Sequence, residues 1–539
     1  MSTPYLSKSL LNNYRQCPRR LWLEMADRRA VREGRMPLLT PAGYSADTLN
    51  RFAQGHVVGR IAQAMWPGGV DIDQQSSRTD PATGERRRDL RQAAQITQSA
   101  LKQKRPLFEA TFEHDGVLVQ ADVLLPVRGG WHMLEVKSSS QPQPYHLSDL
   151  ATQAWVAQGQ GVAIKGMGLL LVNKDFELQR SGDYTGFLQQ HDDSELQAQV
   201  QVHMATMPDT VQQARRVIAL RQEPVKHQPG EQCTSPYRCP YTAHCQGEGA
   251  ASQQPGIRFY NDKGGNKAAE LAREGHTDLR KVPAKRIAQL WGDDKDTHQI
   301  NRRLAEAVRK RAPVLDREGA RRAMASWVWP VQHLDFETIN FSAPVWHGTR
   351  SGQQVPFQYS VHMQAQNAKV LAHHEFLDTT GQDPRRALAQ SLIKHLSPDS
   401  TILAWNAGFE RGVLKNLANA FADLRAKLMR LHDCIEDLQP VVRDHYAHPD
   451  MLQAPGSWYS IKTVLPLLVP GNGYDQLDGV QAGGDAQAVY LRVAAPEALR
   501  RDMGYTEQEH QQERQQMLKY CEHDTEAMTL ILRELLKKP

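Results

Sequence analysis

The segment VLVQADVLLPVRGGWHMLEVKSS, residues 117–139, decides how the first half of the chain is read. Its two apolar runs, 117–127 and 131–139, predict two strands joined by an Arg-Gly-Gly turn. Asp122 stands in the middle of the first run, where an unpaired carboxylate is expensive unless a cation or hydrogen bonds compensate it. Something must therefore bind it. Thirteen residues later comes Glu135-Val136-Lys137. Strand side chains alternate, so Glu135 and Lys137 share a face while Val136 points to the opposite layer. Two carboxylates can hold Mg2+ or Mn2+ through hard oxygen ligands, and a neighbouring ammonium can orient or help deprotonate an attacking water.

Working outward, Leu147, Leu150, Ala151, Ala154 and Trp155 fall at the spacing of one buried helical face, and GMGLLLVN (166–173) reads as a buried strand. Together these form a compact α/β unit. From about 246 the composition turns polar, beginning with GEGAASQQPG (247–256), a linker-like stretch. Within it, AAELAREGHTDLRKVPAKRIAQLW (268–291) has two helix-like pieces around Gly275, either a helix-hairpin-helix element or a plain connecting pair. After Trp329 come three strand-like runs, VQHLDFETI (331–339), VPFQYSVHMQ (355–364) and VLAHHEFLDT (370–379). A helix (385–396), the strand STILAWN (400–406) and a long helix over 408–431 follow, and an amphipathic helix, 517–536, ends the chain after the polar EQEHQQERQQ. The expected division is 1–247, a helical linker over 248–328, and 329–539.

The composition is that of soluble globular protein, with 40% hydrophobic and 23% charged residues. No run approaches the roughly 18 apolar residues of a membrane span. The start lacks a secretory pattern, so a cytoplasmic location is expected, without membrane association and without disulfides. A net charge of +5 permits nucleic acid binding. Arginines crowd the first forty residues, Arg19 and Arg20 among them, and Arg86, Arg87, Arg88 and Arg91 form a second cluster. Either group could neutralise phosphates or be a solvated face. Of six cysteines, Cys233, Cys239 and Cys245 sit together in CTSPYRCPYTAHC, while Cys17 lies far upstream in YRQCPRRLW. Cys434 and Cys521 read as ordinary buried thiols.

The ordered set Asp122, Glu135, Lys137 resembles the signature of the PD-(D/E)XK nucleases. His56 in FAQGHVVGRIA resembles the extra metal-binding histidine of their RecB/AddB branch, and Gln153 in DLATQAWVA matches the first residue of that branch's Gln-x-x-x-Tyr motif, with Ala157 where the tyrosine would stand. In that branch one cysteine before the core and three after it ligate a [4Fe-4S] cluster. The resemblance therefore implies a metal held by His56, Asp122 and Glu135, Lys137 as a catalytic residue, nucleic acid contacts by Gln153, Arg19 and Arg20, and a cluster on Cys17, Cys233, Cys239 and Cys245. Structural zinc is the rival for the cysteines, though their intervals of five and five are wider than usual zinc spacing.

Asp335-Phe336-Glu337 sets two carboxylates on one face of the next strand set, LKYCEHDTEAM puts Tyr520 and Asp524 four apart on one helix face, and LAWNAGFERGVL supplies Asn406 and Glu410 at a strand-helix junction. This order resembles the DEDDy 3'-to-5' exonucleases of RNase-H-like fold, which implies two metals on Asp335, Glu337, Glu410 and Asp524 and a water oriented by Tyr520. Glu410 departs from the usual aspartate by one methylene. The whole chain resembles bacterial proteins that join the two modules in this order. Its implied work is metal-dependent cleavage of DNA, in repair or defence. RNA as substrate, or a nucleic acid scaffold with silent sites, stays open. No Gly-x-x-x-x-Gly-Lys-Ser/Thr loop is present, so a helicase or other partner would have to supply any unwinding.

Overall fold

A computed structural model describes residues 5–39, 46–79, 86–246, 257–262, 266–291, 295–452, 458–494 and 506–538, a mixture of helices and several sheets. The expected linker stretch 247–256 lies outside the described residues. The chain divides into two compact units. One holds residues 1–248 with 341–353, the other 249–340 with 354–539. No helix among the described residues is long and apolar enough to cross a membrane.

The first unit is built on strands β1 (Leu107–His114), β2 (Val117–Val127), β3 (Gly130–Lys137), β4 (Ile164–Val172) and β5 (Leu188–His191), in that order across one sheet. Leu6–Ser7 pairs with β2 and Val70–Asp71 with β1. The first three strands are antiparallel, whereas β3 and β4 run parallel and are linked by a helix (Pro144–Gly159) whose Leu150, Ala151, Ala154, Val156 and Ala157 are fully buried. A parallel pair needs such a crossover, which carries that helix across the sheet. β1 has no counterpart in the sequence reading, and its LFEATFEH, with Leu107 beside Phe108, lacks a clean alternation.

In the second unit β6 (Val331–Ile339), β7 (Val355–Gln364), β8 (Val370–Leu377), β9 (Ile402–Ala404) and β10 (Ile435–Asp437) form a sheet in the order β8-β7-β6-β9-β10. One face is apolar. Leu334, Phe336, Tyr359 and Val361 pack there against Leu388, Leu392, Leu414 and Leu428 of three helices. The alternate positions, His333, Asp335, Glu337, Gln358, Ser360 and His362, are polar, and most are buried. The long helix α1 (Glu507–Leu536) lies over β6 and β7 on that polar side, fastened where the Gln358 amide donates to the Met517 carbonyl at 2.9 Å and the Gln364 amide to that of Thr529 at 3.1 Å.

Two helix boundaries differ from expectation. α1 begins at Glu507, ten residues before the predicted start, because Thr506 and Glu509 form a capping box that makes the polar EQEHQQERQQ its first turns. The single helix expected over 408–431 is two, Gly408–Ala420 and Arg425–Asp433, broken where Phe421 turns extended under the Arg386 guanidinium. The segment 257–315 is no mere tether. Helices Asn266–Arg273, Ala284–Gln289 and Lys295–Lys310 bury Leu271, Ile287, Ile300 and Leu304, and Gly275 takes the left-handed φ of +85° between them.

Leu392 has no exposed surface. Leu392→Ala should cost about 2–5 kcal/mol, read as a lower urea midpoint at unchanged slope.

Candidate active sites

In the second unit, alternation on β6 sends Asp335 and Glu337 toward α1, and a spacing of four on α1 returns Tyr520 and Asp524 toward them. One carboxylate oxygen each from Asp335, Glu337 and Asp524 lies within 4.8 Å of the others. Burial raises all three pKa values. For Asp335 the charges of Asp524, Glu337 and Glu410 add to burial and push it well above the usual carboxylate range. Glu337 is pushed up to about 8 by burial and then by Asp524, against the pull of Lys462. Asp524 is raised by burial although the Tyr474 and Tyr520 hydroxyls donate to it.

Glu410 occupies the first turn of the helix Gly408–Ala420. The chain reaches that turn through Asn406 at φ +73°, a left-handed conformation that asparagine tolerates better than most residues. Asp437 at the end of β10 fixes the turn by accepting from the Asn406 and Ala407 amides, both at 3.1 Å. Glu410 is 2% exposed, and its Oε2 is buried without a hydrogen-bond partner. Burial pushes its pKa up to about 8. Its charge acts on Asp335, but it stands outside the tight group of three. The acids expected to meet therefore do so with Glu410 alongside.

Three residues at this centre were not read from the sequence. Lys462, in the helix Ile461–Leu468, donates to the Tyr520 hydroxyl at 3.1 Å and to the Gln481 carbonyl at 2.5 Å, and its ammonium lies 4.8 and 4.9 Å from the Tyr474 and Tyr520 ring centres. Tyr474 donates to Asp524, and the Cys521 thiol lies 3.8 Å from Asp335 Oδ2. Nothing in the spacing of Lys462 or Tyr474 announces this. Cys521, read as an inert buried thiol, touches the first acid.

In the first unit Glu135 is 1% exposed and Lys137 reaches its Oε1 at 2.7 Å, so the predicted pair does meet. The surroundings differ from the expected metal cage. Lys8 also reaches Glu135 Oε1, at 2.8 Å, and Lys137 binds Asp149 at 2.6 Å. Burial alone would raise the Glu135 pKa, but the two ammoniums outweigh it and hold it down at about 2. Asp122 moves the other way, raised well above the usual range by burial and by Glu135, and its Oδ2 accepts the Val136 amide at 2.7 Å. Opposite Asp122, Glu109 interrupts the pairing of β1 without shifting its register, at φ +56°, with Arg88 at 3.5 Å. Lys8, Asp149 and Glu109 are additions that sequence pattern did not single out.

Several expected roles move. His56, on the helix Ala46–Ala64, is exposed, and among the described residues it makes no hydrogen bond or ion pair with Asp122 or Glu135. Gln153 is fully buried and donates to Glu135 Oε2, so it orients the carboxylate where a nucleic acid contact was expected. Arg19 is 6% exposed and spent on Glu223 at 2.5 Å. Arg20 turns inward, bonding Gln16 and lining a small cavity.

That cavity is lined by Cys17, Cys233, Cys239 and Cys245 together. Gln16 ties the segments on either side of it, donating to the Gln232 carbonyl at 2.7 Å. Among the described residues, no three of these sulfurs lie within 4.8 Å of one another. A single zinc with bonds of about 2.3 Å would draw tetrahedral sulfurs to about 3.8 Å apart.

A family model described as a domain of unknown function (DUF2779) matches residues 332–457. That stretch carries Asp335, Glu337 and Glu410 and stops short of Lys462, Tyr520 and Asp524. No curated protein and no solved structure matches the chain.

Because folding raises the Glu337 and Glu410 pKa values to about 8, from about 4.3 in an unfolded chain, the native state binds the extra protons. Their contribution to stability is complete below the unfolded value and is lost as pH rises through the folded one. In a chelator, the thermal unfolding temperature should fall between about pH 5 and pH 9. Mn2+ should restore it at the upper end and do little at the lower. Glu410→Gln should flatten the fall, as differential scanning fluorimetry would record.

Proposed function

We propose that this chain is a metal-dependent nuclease that hydrolyses DNA phosphodiesters, with its principal centre on Asp335, Glu337, Asp524 and Glu410. The convergence of three acids within 4.8 Å beside Tyr520 carries this reading. Four carboxyls, three of them buried and one with an orphaned oxygen, suit divalent cations that need hard oxygen ligands. The order of the elements suits an RNase-H-like, DEDDy-type exonuclease, and the first unit suits a PD-(D/E)XK module with a [4Fe-4S] cluster on its four cysteines.

Bound Mg2+ or Mn2+ would supply Lewis acidity and a more acidic water. The chain's own residues do the rest. Asp335, Glu337, Asp524 and Glu410 would hold the cation. Burial, then the charges of Asp524 and Glu337, raise the Tyr520 pKa and keep the hydroxyl protonated, a form in which it can orient water by hydrogen bonding. Lys462 steadies that hydroxyl and places a positive charge beside the acids.

A second reading applies to the first unit. With Glu135 neutralised by Lys8 and Lys137, this unit suits a nucleic acid holding module whose cleavage requires Lys8 to yield its place.

Degradation of end-labelled single- and double-stranded DNA and RNA in Mg2+ or Mn2+ tests both readings. Asp335→Asn should lower trimming from the 3' end by about 10²-fold or more, while Glu135→Gln should leave that trimming in place. Metal-dependent trimming that survives Asp335→Asn and vanishes with Glu135→Gln would transfer the activity to the first unit, and absence of cleavage in the parent would remove the nuclease reading.

The cysteine cavity makes a separate demand. Anaerobically purified protein should be brown, with iron and sulfide near four each per chain, and Cys239→Ser should lose the colour. A colourless protein with one zinc would assign the cavity to zinc.

A further inference from the structure

Beside the acid centre, on the same polar face of the sheet, lies a group of side chains that the nuclease reading does not use. His362 on β7 and His373 on β8 are cross-strand partners, and their rings stack with centres 4.3 Å apart. Above them α1 contributes Glu522, whose Oε1 lies 3.7 Å from His373 Nδ1. One ligand atom from each of the three lies within 4.8 Å of the others.

The hydrogen bonds around the rings admit a proton arrangement that leaves one nitrogen of each imidazole open to a metal. With the Thr525 hydroxyl donating to the Glu522 carbonyl at 3.0 Å, Ser360, 2.7 Å from Thr525 Oγ1, can donate to Thr525. His373 Nε2, at 2.9 Å from Ser360, and His362 Nδ1, at 2.8 Å from Thr525, are then the N–H donors. In that arrangement the remaining nitrogens, His373 Nδ1 and His362 Nε2, carry lone pairs. Imidazoles whose second nitrogen is fixed by a hydrogen bond are in the form that binds metal, and this outer layer sets ring orientation and tautomer.

We propose that His362, His373 and Glu522 form a second metal site in this unit, one that takes a divalent transition ion of the zinc class and fastens α1 to the β7–β8 edge. Two nitrogens and one oxygen select such an ion over Mg2+, which prefers oxygen alone. Three protein ligands leave a position for water or for Glu526, one turn along α1 and within electrostatic reach of both rings. Ligand atoms bound at about 2.0–2.1 Å stand about 3.4 Å apart, so small side-chain rotations close the present spread. Glu522 is 45% exposed and His373 24%, which gives an ion a route in from solvent. Glu522 stands two residues from Asp524, and Asp335 pairs across the strands with Ser360. An ion here would hold the register of the helix that carries Tyr520 and Asp524.

The test is titration of the full chain with Co2+ in excess Mg2+, which saturates oxygen-only sites. Thiolate-bound Co2+ is told apart by its intense sulfur charge-transfer absorption. The expected result is one Co2+ per chain with nitrogen-oxygen ligand-field absorption, displaced by Zn2+, its affinity lowered at least about 10²-fold by His373→Gln and clearly by Glu522→Gln. In excess Mg2+, Zn2+ should also raise the melting temperature of the parent further than that of Glu522→Gln, an exposed position whose replacement spares the fold. Parental Co2+ affinity in both variants, or no non-thiolate Co2+ in the parent, would overturn the site and leave a His373–Glu522 proton-sharing pair. Neither outcome bears on cleavage, so this proposal and the nuclease reading fail separately.

Discussion

The second unit depends on the cost of gathering four carboxyls, three of them buried, where a packed sheet meets its helices. Asp335, Glu337, Asp524 and Glu410 are each pushed toward the neutral form, and Lys462, the cation at their edge, is shared with Tyr520 and the Gln481 carbonyl. A core made for stability alone would fill such positions with apolar side chains, as the opposite face of the same sheet does with Leu334, Phe336, Tyr359 and Val361. The difference between the two faces is the physical argument for a site. One face is set for packing, and the other holds carboxyls that burial pushes toward the neutral form.

The first unit answers the same problem differently. Glu135 is as deeply buried as Glu410, yet two ammoniums and the Gln153 amide satisfy it, and its pKa falls where that of Glu410 rises. Lys8 and Lys137 converge on one oxygen, and each is also drawn by Asp149, which the Asn12 amide holds in turn at 2.7 Å. Such a closed network fixes geometry strongly, because removing any member strands another buried charge. A cation entering beside Glu135 must compete with Lys8. Among the described residues of the second unit, Lys462 beside the three clustered acids donates to the Tyr520 hydroxyl and the Gln481 carbonyl.

What was legible in the sequence was local. Alternation placed Asp335 with Glu337 and Glu135 with Lys137, and the spacing of four put Tyr520 above Asp524, because strand and helix periods are properties of the chain itself. Residues delivered by tertiary folding left no such trace. Lys8 comes from a helix at the start of the chain and reaches Glu135, Asp149 comes from the crossover helix and binds Lys137, and Lys462 and Tyr474 come from a stretch without strong periodicity and reach Tyr520 and Asp524. Other side chains went to partners inside the fold. For Gln153, Arg19 and Arg20 the family resemblance implied nucleic acid contacts, and a polar side chain that folding turns inward goes to whichever partner the packing offers, here Glu135, Glu223 and Gln16. The capping box at Thr506 and Glu509 was readable, and the polar run behind it masked a solvent-facing helix start.

The cysteine cavity joins these arguments to chain topology. Cys17 and Cys233 close a loop of over two hundred residues, and holding the ends of so long a loop carries an entropic cost that grows only slowly with length. Part of that cost is met without any metal. Gln16 binds the Gln232 carbonyl, Arg19 pairs with Glu223, His244 with the same carboxylate at 3.1 Å, and the Tyr241 hydroxyl reaches Asp27 at 3.1 Å. These bonds flank the sulfurs on both segments and bring the four thiols to one cavity. A group bound there would fasten ends already held together, so its binding energy goes largely into rigidity. That rigidity extends to Lys8, because the helix Lys8–Gln16 ends at Cys17 and carries Lys8 on its first turn. The tightness of the cysteine clamp thus bears directly on whether Lys8 can leave Glu135.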